Sequence, residues 1–153
     1  MRIQDDIQLD YCDVLLRPKR SALASRSQVD ILRQYTFKWC PRTIKATGVI
    51  AANMFTTGTF EIAREMQKQN LLTALHKHYS AEQLIDFLTE NAKTGDNQLI
   101  FVSSGVSDAD FEKLSLVMKT GLVNNICIDV ANGYSTYLIN YIKKVRQAWP
   151  ESL

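Results

Sequence analysis

Asp129, Asn132 and Gly133 stand where the apolar run Ile126-Cys-Ile-Asp-Val130 breaks down into polar residues. A carboxylate in that place can accept hydrogen bonds from a ribose or orient a cofactor amide, and Asn-Gly lets the backbone come close to a ligand. The competing reading is that Asp129 caps the next turn. His76-Lys77-His78 closes another apolar run, Leu71 to Leu75, with both imidazoles on one side. H-x-H can bind zinc, but no third ligand is visible nearby, so hydrogen-bonding structural histidines are favoured. Lys77 then offers a cation to a phosphate or carboxamide oxygen. Ser103-Ser104-Gly105 leads to Ser107 at a helix start, which supplies hydroxyls and free amides to an anion, or forms an ordinary loop and cap. Ser25-Arg26 lies in a polar loop and reads by itself as solvated surface. Cys127, inside an apolar strand, reads as a small hydrophobe and is assigned no catalysis.

These residues need strands that end beside one another. Apolar runs at Val49 to Asn53, Leu71 to Lys77, Leu99 to Gly105 and from Ile126 all stop in polar residues. Strand alternation puts Cys127 and Asp129 on one side, with Ile126, Ile128 and Val130 on the other. Helical patterns separate the runs. Ser80-Ala-Glu-Gln83 fits a capping box, with Leu84, Ile85 and Leu88 on one face. Ser107 caps a helix carrying Phe111, Leu114 and Met118, which Gly121 ends. Leu138, Ile142, Val145 and Trp149 form one stripe of a last helix, stopped by Pro150. Strands alternating with helices predict βα units on a parallel sheet, where chemistry gathers at the C-terminal ends of the strands.

Residues 1–47 differ. Short runs at Ile7 to Leu9, Val14 to Leu16, Val29 to Ile31 and Tyr35 to Trp39, the last closed by Pro41, predict N-terminal strands and loops. The expected organisation is a single partial domain over 1–153, with four βα units over 48–153. A βα barrel needs eight units and about 250 residues. The chain has 153 residues and stops three after Pro150, where a fifth strand is due. The expected fold is therefore α/β, the N-terminal half of a (β/α)8 barrel.

Composition excludes several classes. The chain is 46% hydrophobic and 22% charged, as in ordinary globular proteins. A net charge of +2, with one short basic cluster at Arg17-Pro-Lys-Arg20, predicts no nucleic-acid partner. No apolar run approaches the roughly 18 residues of a membrane span, and Met-Arg-Ile-Gln-Asp-Asp is not a signal peptide. The expectation is a cytoplasmic protein. Three cysteines without C-x-x-C spacing predict reduced thiols and no metal site.

Four segments carry a resemblance. Asp10-Tyr-Cys-Asp-Val-Leu-Leu-Arg-Pro-Lys-Arg-Ser21, Ala51-Ala-Asn-Met54 with Gly58-Thr-Phe60, Leu75-His-Lys-His-Tyr-Ser80 and Ile128-Asp-Val-Ala-Asn-Gly-Tyr-Ser135 resemble the IMP dehydrogenase and GMP reductase family, in order and spacing. The reductase branch is favoured, because only about ten residues separate Leu88 from Leu99, where dehydrogenases usually carry a regulatory insertion. The wording of Asp129-Val-Ala-Asn-Gly points the same way.

The resemblance implies a βα barrel and NADPH-dependent reductive deamination of GMP to IMP and ammonia. In the family a cysteine thiolate attacks the purine C2, ammonia leaves a covalent thioimidate, and hydride reduces C2. Carried over by position, Ser25 and Arg26 are expected to touch cofactor across a subunit boundary. Lys77, Asp129, Val130 and Ala131 are expected to do so within the subunit. Asp108 opens the family's looser cofactor region, and Met54 matches the methionine beside the purine. A homotetramer is expected of the full-length family. Its catalytic cysteine and potassium loop belong to the second barrel half, and none of Cys12, Cys40 or Cys127 matches that cysteine. Phe55 stands where the family motif has aspartate. The alternative implied is a truncated, non-catalytic paralogue that binds nucleotide or assembles with full-length subunits.

Overall fold

A computed structural model describes residues 5–153; the first four residues of the stretch read against a signal peptide lie outside the described residues. The chain forms two units, Met1–Asp30 and Ile31–Leu153. The first unit contains 3-10 turns at Tyr11–Asp13 and Arg26–Gln28, and none of its described residues forms the strands expected at Ile7 to Leu9 and Val14 to Leu16. Val29 to Ile31 likewise forms no strand. Next to those runs, local side chains bond backbone donors. Asp10 accepts from the Tyr11 amide and Gln28 from the Ala24 amide, and such bonds compete with ladder formation.

In the second unit, β1 (Arg33–Phe37) and β2 (Cys40–Ala46) form an antiparallel hairpin. The apolar run from Tyr35 predicts Trp39 within the first of these strands, closed by Pro41. Trp39 instead turns the hairpin, and Pro41 sits inside β2. Its missing N–H is tolerated because the register shifts there, with Phe37 opposite Cys40 but Thr36 opposite Thr43.

The four remaining strands, β3 (Ile50–Ala51), β4 (Leu72–Leu75), β5 (Ile100–Ser104) and β6 (Ile126–Ile128), are parallel and adjacent in chain order. They start within a residue of the expected positions. Four helices follow them in turn: α1 (Phe60–Gln67), α2 (Ala81–Thr94), α3 (Asp108–Met118) and α4 (Thr136–Ala148). Each starts at a hydroxyl cap, from Thr59, Ser80, Ser107 and Ser135 respectively. Asn70 ends the first unit of this series in the left-handed region (φ 55°), which asparagine tolerates better than most residues.

Burial divides the sheet into two faces. Leu75, Ile100 and Val102 pack with Leu84, Phe87, Leu88, Leu114, Val117, Tyr141 and Val145 of the helices. The α4 stripe is thus Leu138, Tyr141 and Val145. Ile142, expected within it, is exposed, because Tyr141 occupies the inward position and bonds Ser104. On the opposite face Leu72 and Phe101 pack against Ile44 and Ala46 of the hairpin, with Leu99 and Leu153. Leu153 bonds in parallel fashion to β6 and its lead-in, its N–H to Asn124 and its carbonyl to the Ile126 amide.

Candidate functional site

The C-terminal ends of β3 to β6 form one polar rim. At the end of β4, His76 is buried while Lys77 and His78 are exposed. The His78 amide donates to His76 Nδ1 at 3.3 Å, so the neutral ring carries its proton on Nε2. Burial, the nearby His78 and the Lys113 charge hold the His76 pKa below the usual imidazole value. Its ring stacks on Tyr79 at 3.9 Å, Tyr79 stacks on Phe60 at 3.8 Å, and Phe60 on Phe87 at 4.3 Å. An aromatic column therefore runs from the rim into the helix-side core.

Phe55, beyond β3, extends that column outward. Its ring stacks on His76 at 5.2 Å and meets His78 edge-on at 5.9 Å. Met54 and Phe55 are both exposed. The loop after them lies hard against β4: His76 N–H donates to Gly58 carbonyl at 2.9 Å, and a Cβ on Gly58 would meet the Ala74 carbonyl at 2.3 Å.

At the end of β5, Ser104 points to the helices and bonds Tyr141 at 2.9 Å. Ser103 faces the other way, in register with Cys127, and its buried hydroxyl lies alongside that thiol. Burial raises the Cys127 thiol pKa, Asp129 adds to this and the Ser103 hydroxyl alongside opposes it. A desolvated thiol of this kind is a poor nucleophile.

Ser107 caps α3 in a full capping box with Asp110. The Asp110 carboxylate packs beneath Gly105, 2.4 Å from where a Cβ would stand. Burial pushes the Asp110 carboxyl up, but bonds from Ser107 and the charges of Lys113 and Lys77 outweigh it and hold it below its usual range. Asp108, the first residue of α3, pairs with Lys144 at 3.0 Å. That pair borders a cavity of about 200 Å³ with Val106, Tyr137, Asn140 and Tyr141.

Asp129 is exposed just beyond β6, its amide bonded to the Ser104 carbonyl at 3.3 Å. The following turn is capped by others, Asn132 accepting from Tyr134 N–H and Ser135 from Leu138 N–H. The capping alternative for Asp129 is therefore not what the structure contains. Val130 is half-buried and Ala131 exposed on the same rim. Ser25 and Arg26 belong to the first unit, where Ser25 caps its 3-10 turn.

The sequence reading missed Lys113. Its ammonium reaches from α3 to the carbonyls of Lys77 and Tyr79. Position 113 lies three residues after Asp110 on the same helix face, which was the available signal. Among the described residues, no group of three or more His, Cys, Asp or Glu side chains could hold a metal ion.

The arrangement combines an exposed carboxylate, an exposed ammonium and a buried hydroxyl at the strand ends of a parallel sheet. The chain as a whole is similar to known proteins. GMP reductase of Shewanella pealeana is 50% identical over 155 residues, covering 100% of this chain and 44% of that protein. GMP reductase of Klebsiella pneumoniae is 46% identical over 152 residues, covering 99% and 44%. The chain thus spans less than half the length of these relatives. The crystal structure of inosine 5' monophosphate dehydrogenase from Legionella pneumophila superposes with a TM-score of 0.71 at 25% identity, over 92% of this chain and 41% of that one. Residues 8–153 match the IMP dehydrogenase / GMP reductase domain, and the chain belongs to that family.

Proposed function

We propose that this chain supplies the cofactor-side half of a GMP reductase, an oxidoreductase that converts GMP to IMP and ammonia with NADPH. The observation that carries this reading is the exposed Asp129 carboxylate and the exposed Lys77 side chain at the C-terminal strand ends of one parallel sheet, in a chain of this family. Ligands of parallel α/β sheets bind at the C-terminal ends of the strands. NADPH fits this donor set and would supply hydride.

Asp129 would accept hydrogen bonds from the carboxamide or ribose, with the Val130 and Ala131 backbone alongside. Lys77 would meet an anionic group. Asp108 extends the same region, Met54 would lie against the purine, and Ser25 with Arg26 would complete a partner subunit's site. The chain's own thiols do not serve as nucleophile. Cys40 is buried against the Glu151 carbonyl at 3.4 Å, Cys127 is held protonated by desolvation, and Cys12 belongs to the first unit. The attacking thiolate and the potassium site belong, in this reading, to the second barrel half. In this reading the full-length protein works as a homotetramer in the cytoplasm.

Titration of the chain with NADPH, followed by cofactor fluorescence, tests the reading. Saturable binding that Asp129→Ala and Lys77→Met each weaken about tenfold or more is expected. Binding indifferent to both substitutions contradicts it.

A second reading rests on Phe55. An exposed aromatic ring replaces the family's carboxylate and fills space beside His76, as in a non-catalytic paralogue that binds nucleotide or joins full-length subunits. Nucleotide binding retained in wild type and unimproved by Phe55→Asp favours it.

A further inference from the structure

We propose that Lys113 is a positioning residue for Lys77, fixing the turn that presents the Lys77 ammonium by donating to the carbonyls of Lys77 and Tyr79. The proposal rests on the reading of Lys77 as a cofactor contact.

The turn from His76 to Ser80 is held at nearly every residue. His76 is buried in the aromatic column, and the His78 amide is tied to its ring. Tyr79 is sandwiched between His76 and Phe60 and accepts from the Phe60 amide through its hydroxyl at 3.3 Å. Ser80 N–H is bonded to Gln83 at 2.9 Å within the α2 capping box. Two carbonyls inside the turn, those of Lys77 and Tyr79, face α3 and are taken by the Lys113 ammonium. The Lys77 side chain remains exposed and is in none of the ion pairs among the described residues.

Lys113 differs from an ordinary surface lysine. Its head is half-buried, and burial pulls its pKa below the usual range, with Asp110 opposing and Lys77 adding to the shift. An ammonium placed there without acceptors would be expensive, so the two carbonyls fix its position as it fixes theirs. Asp110, three residues earlier, secures the other flank through Ser107 and the close approach to Gly105. The first two turns of α3 therefore brace the β4 and β5 ends against each other. A lost clamp at Lys113 would leave the sheet intact and the Lys77 turn loose.

The test uses this chain in two measurements. Hydrogen exchange at the amides of residues 77–80 should rise about tenfold in Lys113→Met and stay near wild type in Lys113→Arg, while α2 and α4 amides are unchanged. In NADPH titrations Lys113→Met should lose about tenfold in affinity, Lys113→Arg should retain most of it, and Lys77→Met/Lys113→Met should bind no worse than Lys77→Met. Unchanged exchange in Lys113→Met overturns the proposal, as does a double variant whose loss is the product of the single losses. A wild-type chain that binds no NADPH defeats the cofactor reading instead, and exchange alone then decides the clamp. Lys113→Arg, which keeps the charge and reach, separates loss of the clamp from loss of folding.

Discussion

Phe55 and His76 stack with ring centroids 5.2 Å apart and planes 29° apart. An aromatic face adds to the desolvation of the imidazole, whereas an aspartate would stabilise its cation. Phe55→Asp should therefore raise the His76 pKa, read from the imidazole proton resonances across a pH titration. An unchanged titration would show that the ring contributes nothing to the His76 environment.

His76 also gives the fold a pH dependence. Its folded pKa lies below 6.5, so the unfolded chain binds the extra proton first. Stability contributed by the neutral, buried ring is complete above about 6.5 and falls as pH drops from there through the folded value. Denaturant midpoints should decline between neutral pH and mild acid. His76→Phe, which keeps a stacking ring without a titrating group, should flatten that decline. An equal slope in both proteins would assign the effect elsewhere.

Gly105→Ala should destabilise the chain by about 1–3 kcal/mol, because the new methyl meets the Asp110 carboxylate at 2.4 Å. Asp110→Ala also costs stability, since it removes the capping box. The pair should be strongly non-additive, with truncation at 110 making room for the methyl. Additive losses in urea denaturation would mean that the two residues do not press on each other.

Most of the barrel-type architecture was legible because each strand ends in polar residues and each long helix opens on a serine or threonine. What escaped depended on partners distant in sequence. Ile142 and Tyr141 are both plausible inward residues by spacing, and the choice between them was made by Ser104, thirty-seven residues away. Pro41 reads as a strand terminator until the register shift at Thr36 and Phe37 removes the need for its N–H. The N-terminal apolar runs look like strands by composition, yet the segments beside them close into 3-10 turns with local side-chain bonds. For the candidate site, Asp129, Lys77 and Ser103 stood out as polar residues at strand ends. Lys113 did not, because a lysine on an amphipathic helix is ordinarily a solvated charge.

The exposed apolar residues of β3 and its flanks, Val49, Ile50, Met54 and Phe55, line a strand that among the described residues is paired on one side only, by β4. Such an edge promotes association. Sedimentation should find oligomers or concentration-dependent aggregation, reduced by Ile50→Lys. A monomer at high concentration would contradict this.

The central claim is that these residues are the cofactor half of a GMP reductase. Its most direct measurement joins this chain to the remaining, C-terminal part of the Shewanella pealeana GMP reductase and follows NADPH absorbance with GMP present. The account predicts GMP-dependent consumption of NADPH with release of ammonia, lost on Asp129→Ala and weakened by Lys77→Met. A folded fusion that consumes no NADPH with Phe55 or with aspartate at that position, or whose activity ignores Asp129, would contradict it.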